Sequence, residues 1–147
     1  MRRKCSILLV IIFSLASPFH QVVSATVAGN NDMWAGIAVS TPVYSVGDRN
    51  GLSILFAVIN DGDEVVDPKI EMSQLIVNGE ALKESRIMFS NGIRTSDFHA
   101  LQPNHQLIFR YEVGDHFKEP GIYKVSWVGK GFKAAEVTFR VIAANTN

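Results

Sequence analysis

Gly121-Ile-Tyr123-Lys-Val125-Ser-Trp127 and Glu136-Val-Thr-Phe139-Arg-Val141 alternate apolar with polar residues on either side of a short connection, Val128-Gly-Lys-Gly-Phe-Lys133. Successive side chains of a strand point to opposite faces. Tyr123, Val125 and Trp127 therefore share one buried face, while Lys124 and Ser126 look away. This pattern predicts an antiparallel hairpin in a sheet with one wet face.

Working back from that hairpin, the same alternation recurs. Leu107, Phe109, Tyr111 and Val113 alternate with Gln106, Arg110 and Glu112, predicting a strand of clear parity. Leu52 to Ile59 is apolar on both parities, which predicts a central strand covered on both faces. Asn60-Asp-Gly-Asp-Glu64 ends it. Lys69 to Val77 returns as a strand, and Asn78-Gly79 is a strong hairpin signal because both residues tolerate positive φ. Leu82 and Ile87 to Phe89 are expected in one or two short strands. Ser90 to Asn104 reads as a long loop pinned by a few apolar residues. Ile37, Val39, Val43 and Val46 form a first strand whose parity is broken by Pro42, as expected of an edge. No amphipathic helix is expected after the first 25 residues. About seven strands separated by turn signals predict an all-β, immunoglobulin-like antiparallel sandwich.

The N-terminus reads as an address. Arg2, Arg3 and Lys4 precede an apolar run from Ile7 to Leu15 broken only by Ser14, and Val23-Ser24-Ala25 supplies small residues for cleavage. A spanning helix needs roughly 20 apolar residues, and Pro18, His20 and Gln21 interrupt this run too early. Residues 1–25 are thus expected to be a signal peptide, 26–34 a flexible tether, 35–143 the sandwich and 144–147 a tail. The expected location is secreted or periplasmic, with no membrane span after cleavage.

Cys5 is the only cysteine and lies in the leader. A cysteine-free mature chain has no disulfide, thiolate ligand or cysteine nucleophile, so packing alone must hold it. The chain carries 14 basic and 14 acidic residues; removing the leader's three basic ones leaves 11 against 14. That balance, with no basic run, argues against a nucleic-acid partner.

The run Leu101-Gln-Pro103, Leu107-Ile-Phe109-Arg-Tyr111, Pro120-Gly121-Ile-Tyr123-Lys-Val125-Ser-Trp127 and Val137-Thr-Phe139-Arg-Val141 resembles strands E, F and G of bacterial immunoglobulin-like domains. Phe56-Ala-Val-Ile-Asn60-Asp-Gly-Asp is similar to a B strand and its turn. Tyr123 falls where such domains often place a tyrosine near the start of strand F. Asn60, Leu101 to Pro103 and Gly121 to Tyr123 also resemble the bacterial intracellular proteinase inhibitor family. The leader and the lack of a matching reactive segment lie outside that pattern.

Candidate chemistry is sparse. There is no Gly-x-Ser-x-Gly elbow, His-Glu-x-x-His pair or phosphate-binding glycine loop, so an enzyme is not expected. His99 and His105 are the candidate metal ligands, although their spacing lacks the close pairing of structural zinc sites. Asp61, Asp63 and Asp67 concentrate oxygen donors that calcium accepts, without an EF-hand order. The loop aromatics Phe98, Phe117 and Phe132 either fold onto the core or anchor a partner. No cofactor is expected. The function expected is noncatalytic binding of a protein or envelope polymer through loops at one end, using Asp61, Asp63, Asp67, Phe98, Lys130 and Phe132. The alternatives are a proteinase inhibitor using the same loops, and a metal-dependent activity. The sequence leaves the oligomeric state open.

Overall fold

A computed structural model describes residues 23–28, 32–90 and 94–144. Two sheets face each other, as the alternating parities require. The first contains β1 (Val23–Ala28), β2 (Met33–Val39), β4 (Ser53–Asn60) and β7 (Gln106–Glu112), in the order β1-β2-β4-β7, all antiparallel. The second runs β3 (Val43–Ser45), β10 (Val137–Ile142), β8 (Gly121–Gly129), β5 (Gln74–Val77) and β6 (Glu80–Ala81), with β9 (Phe132–Lys133) also paired to β8. The chain is an all-β sandwich with the strand order of an immunoglobulin-like fold. One pair departs from the antiparallel expectation: β3 runs parallel to β10.

Pro42 explains that departure. After β2 the chain cannot continue its ladder through a residue without an N–H. It instead crosses to the other sheet, where the Pro42 carbonyl accepts a bond from Arg140 N. The predicted edge character therefore belongs to β3, whereas β2 lies between β1 and β4. Residues 1–22 of the expected signal peptide, residues 29–31 of the expected tether and residues 145–147 of the expected tail lie outside the described residues, while residues 23–25 of that expected signal peptide stand in β1. Residues 26–28 and 33–34, also within that expected tether, stand in β1 and β2.

The closing strands pair antiparallel as predicted, with Val137 opposite Val125 and Phe139 opposite Tyr123. Its connection carries its own two-stranded turn: β8 extends to Gly129, which pairs with Phe132. An added Cβ on Gly129 would stand 2.1 Å from the Phe132 ring, so the far edge of the ring occupies a position only glycine leaves open. Asn78 and Gly79 adopt the expected positive φ, 51° and 90°. Residues 85–90 differ from expectation: they form a short helix, α1 (Ser85–Ser90), not a strand. A strand would put Ile87 and Phe89 on the same face. The helix leaves Ile87 65% exposed and buries Phe89 against Phe56, with ring centroids 5.1 Å apart.

Trp127 and Phe56 meet edge to face across the two sheets at 5.2 Å. Phe132 packs on the indole at 4.5 Å. A second cluster joins Phe117, Tyr123 and Phe139, each of the first two pairs at 5.0 Å from Phe117. Aromatic pairs of this geometry contribute about 0.5–1.5 kcal/mol each beyond their burial. The buried indole N–H is satisfied by Ser73 Oγ at 2.8 Å, and that hydroxyl donates in turn to the Ile70 carbonyl at 2.6 Å. Tyr123 Oη donates to the Glu119 carbonyl at 2.9 Å, tying the start of β8 to the turn before it. This is the corner-tyrosine arrangement of immunoglobulin-like sandwiches.

Trp127→Phe is expected to cost about 1–2 kcal/mol, since Ser73 loses its donor but keeps its own bond to Ile70. Trp127→Ala is expected to cost about 3–5 kcal/mol through the cavity it leaves. Chemical denaturation followed by tryptophan fluorescence of Trp34 or by circular dichroism measures both.

Candidate functional site at one end of the sandwich

Parity along β4 leads to the site. Ile54, Phe56 and Val58 are buried, and Asn60 continues the same face without any exposure. A polar side chain there must find partners inside. The Asn60 amide nitrogen donates to the carbonyls of Glu64 at 2.7 Å and Leu101 at 3.0 Å. Its side-chain oxygen accepts from Gly62 N at 3.1 Å. One buried amide thereby holds the turn after β4 against the loop before β7. A pair of backbone bonds between Val66 and Leu101, 3.0 and 2.8 Å, repeats the connection a few residues on.

The segments expected to converge do so in part. Residues 61–67 and 94–105 are joined through Asn60 and Val66. Lys130 stands exposed at the tip of the β8–β9 turn, on the other sheet at the same end. There Val128 pairs with Gln74, the residue at which the 61–73 connection enters β5. No ion pair involves Lys130 among the described residues.

Individual candidates divide sharply. Asp61 and Asp63 are exposed; the Asp61 carboxylate accepts a 3.3 Å bond from the Trp34 indole N–H. Asp67 is partly buried and structural. Its two oxygens accept from Lys69 N at 3.0 Å and Lys69 Nζ at 2.6 Å, which stabilises the positive φ of 53° at Lys69. Burial acts to raise the Asp67 pKa, but the Lys69 hydrogen bonds and charge, with the His99 charge, outweigh it and leave the pKa lowered.

Phe98 and Phe132 are 6% and 4% exposed. Both belong to the core, as does Phe117, so as partner anchors they are replaced by the packing alternative. Phe98 carries the Arg94 guanidinium over its ring at 4.5 Å. His99 lies exposed with its ring edge on Phe98, and His105 is exposed at the entry to β7. Among the described residues, no three His, Cys, Asp or Glu side chains gather around one point, so neither the histidines nor Asp61, Asp63 and Asp67 assemble a metal cage.

Two residues escaped sequence reasoning. Asn60 was legible as the next member of the Ile54, Phe56, Val58 series, but an asparagine before Asp-Gly reads first as a turn. Val65 is 53% exposed beside exposed Asp63 and Glu64, and no periodicity marks a lone valine in a loop. At the opposite end, an open depression of about 620 Å³ lies between Pro120–Ile122 and Arg140–Ala143; its only charged lining residue is Arg140.

No family model matches the chain, and no curated protein matches it as a relative.

Asn60→Ala removes three hydrogen bonds in a buried setting and is expected to destabilise the fold by about 2–4 kcal/mol, measurable by denaturant titration. Asp67 has a folded pKa below its ordinary 3.8, so its contribution is present above that value and is lost as pH falls through the folded pKa. Melting temperature is therefore expected to drop more steeply below pH 3.8 in the wild type than in Asp67→Asn.

Proposed function

We propose that this protein is an exported, noncatalytic binding module that recognises a protein or an envelope polymer through the loop end built around Asn60. The single observation carrying this reading is a loop that is fixed underneath and open on top. The Asn60 amide and the Val66–Leu101 bridge restrain its backbone, while Asp63, Glu64 and Val65 remain exposed. A restrained loop loses little further entropy on binding. An apolar side chain beside two carboxylates suits a partner surface that offers basic groups around an apolar spot.

The leader and the cysteine-free mature chain support export, and the resemblance to bacterial immunoglobulin-like domains supports a module of this kind. Likeness of architecture alone does not assign a task; the restrained loop end is what supports this one. Absence of the common hydrolytic motifs supports a noncatalytic role.

Asp63→Lys, Glu64→Lys and Val65→Arg change side chains that make no bond within the described residues, so the fold is expected to survive all three. Tagged wild type is expected to recover a partner from native envelope extract, and the triple variant to recover at least about tenfold less. Equal recovery by both rejects the loop end as the binding surface. Inhibition of any protease in a common panel by the purified chain would move the assignment to the inhibitor class.

A further inference from the structure

Strand β7 ends the first sheet on the side away from β1, and its free edge is unlike those of the second sheet. Val113 N donates to the Leu52 carbonyl and Asn60 N to the His105 carbonyl, so the odd-numbered residues of this stretch exchange bonds with β4. Antiparallel ladders alternate. The N–H and C=O groups of Gln106, Ile108, Arg110 and Glu112 consequently point outward, and none of them is bonded among the described residues.

Natural sheets guard such edges with proline, like charges that repel a second copy, a bulge, brevity or a covering loop, whereas the two charges of β7, Arg110 and Glu112, are of opposite sign. In the second sheet, β3 is three residues long with Pro42 beside it, and β6 has two residues. By contrast β7 is seven residues long, unbulged, and without proline or lysine. Phe109 and Tyr111 lie on its inward parity and pack, partly buried, against the core.

We infer that β7 is a self-association edge, joining a second copy of this chain antiparallel about a twofold axis at Tyr111. Charge selects both occupant and register. Centring the pair on Arg110 would stack Arg110 against Arg110 of the partner subunit, a like-charge contact. Centring it on Phe109 would leave each charged side chain opposite an uncharged one. Centring it on Tyr111 confines the paired segment to residues 110–112 of each copy, since the 3-10 turn Gly114–His116 follows, and sets Arg110 opposite Glu112 of the partner subunit, and Glu112 opposite Arg110 of the partner subunit. Both are outward-bonding positions, so each charge pair also exchanges ladder hydrogen bonds. Arg110 and Glu112 already lie 3.6 Å apart within one chain, and Arg110 Nε is fixed on Ser53 Oγ at 2.7 Å. The charges are thus held on the edge before a second copy arrives. This inference stands independently of the loop-end function.

Sedimentation equilibrium of the mature chain tests it over a concentration series reaching the millimolar range. The mass is expected to rise from one chain to two. Glu112→Arg is expected to weaken the dimer by about tenfold or more, since the contact occurs twice across the axis. Arg110→Glu with Glu112→Arg restores opposite charges and is expected to restore the dimer. Amide exchange in the wild type is expected to slow at Arg110 and Glu112 as concentration increases. A chain that stays monomeric throughout overturns the inference, as does a dimer indifferent to Glu112→Arg, or a folded double variant that fails to associate.

Discussion

The indole of Trp127 is the constraint on which the two sheets depend. With a single cysteine in the sequence, no disulfide can form within the chain, so sheet-to-sheet contact must come from side chains that reach across, and Trp127 meets Phe56 from the opposing sheet. Its ring can be buried there only because the N–H finds Ser73, itself satisfied by Ile70. An unpartnered indole N–H would cost about 1–3 kcal/mol. The 3-10 turn Ile70–Met72 and the start of β5 are therefore placed by the largest fully buried polar-tipped ring of the core.

Asn60 plays the corresponding part at the edge of the core. Where Trp127 carries a donor into the middle of the sandwich, Asn60 carries two donors and an acceptor to its end, where loop backbone would otherwise stay unsatisfied. The consequence is a turn that is acidic and exposed on the outside yet tied from within. Binding surfaces are commonly loops set on a rigid scaffold. Here the scaffold reaches into the loop through one amide.

Much of the fold was legible because strand parity is a local property. The shared inward faces of Val125 with Val137 and of Leu107 with Val58 follow from alternation, and the Asn78-Gly79 turn from the φ its residues tolerate. Helix α1 was not legible. Ile87 and Phe89 fit a strand equally well until Phe56 supplies a contact that only one of them can reach. The candidate site was legible only as a region. Charge placed Asp61 and Asp63 on the surface correctly, but the fates of Phe98 and Phe132 depended on contacts with Phe109 and Trp127 and on the space left at Gly129, which the turn between β8 and β9 and the packing of the sheets create.

The amino-acid sequence by itself determined the all-β class, the alternating faces, the turn positions and a thiol-free body, because each rests on the preferences of neighbouring residues. Tertiary structure alone decided which loop aromatics are core, why Asn60 is buried, and which edge is left open. Those outcomes depend on what stands opposite a residue in space, and no local pattern contains that information.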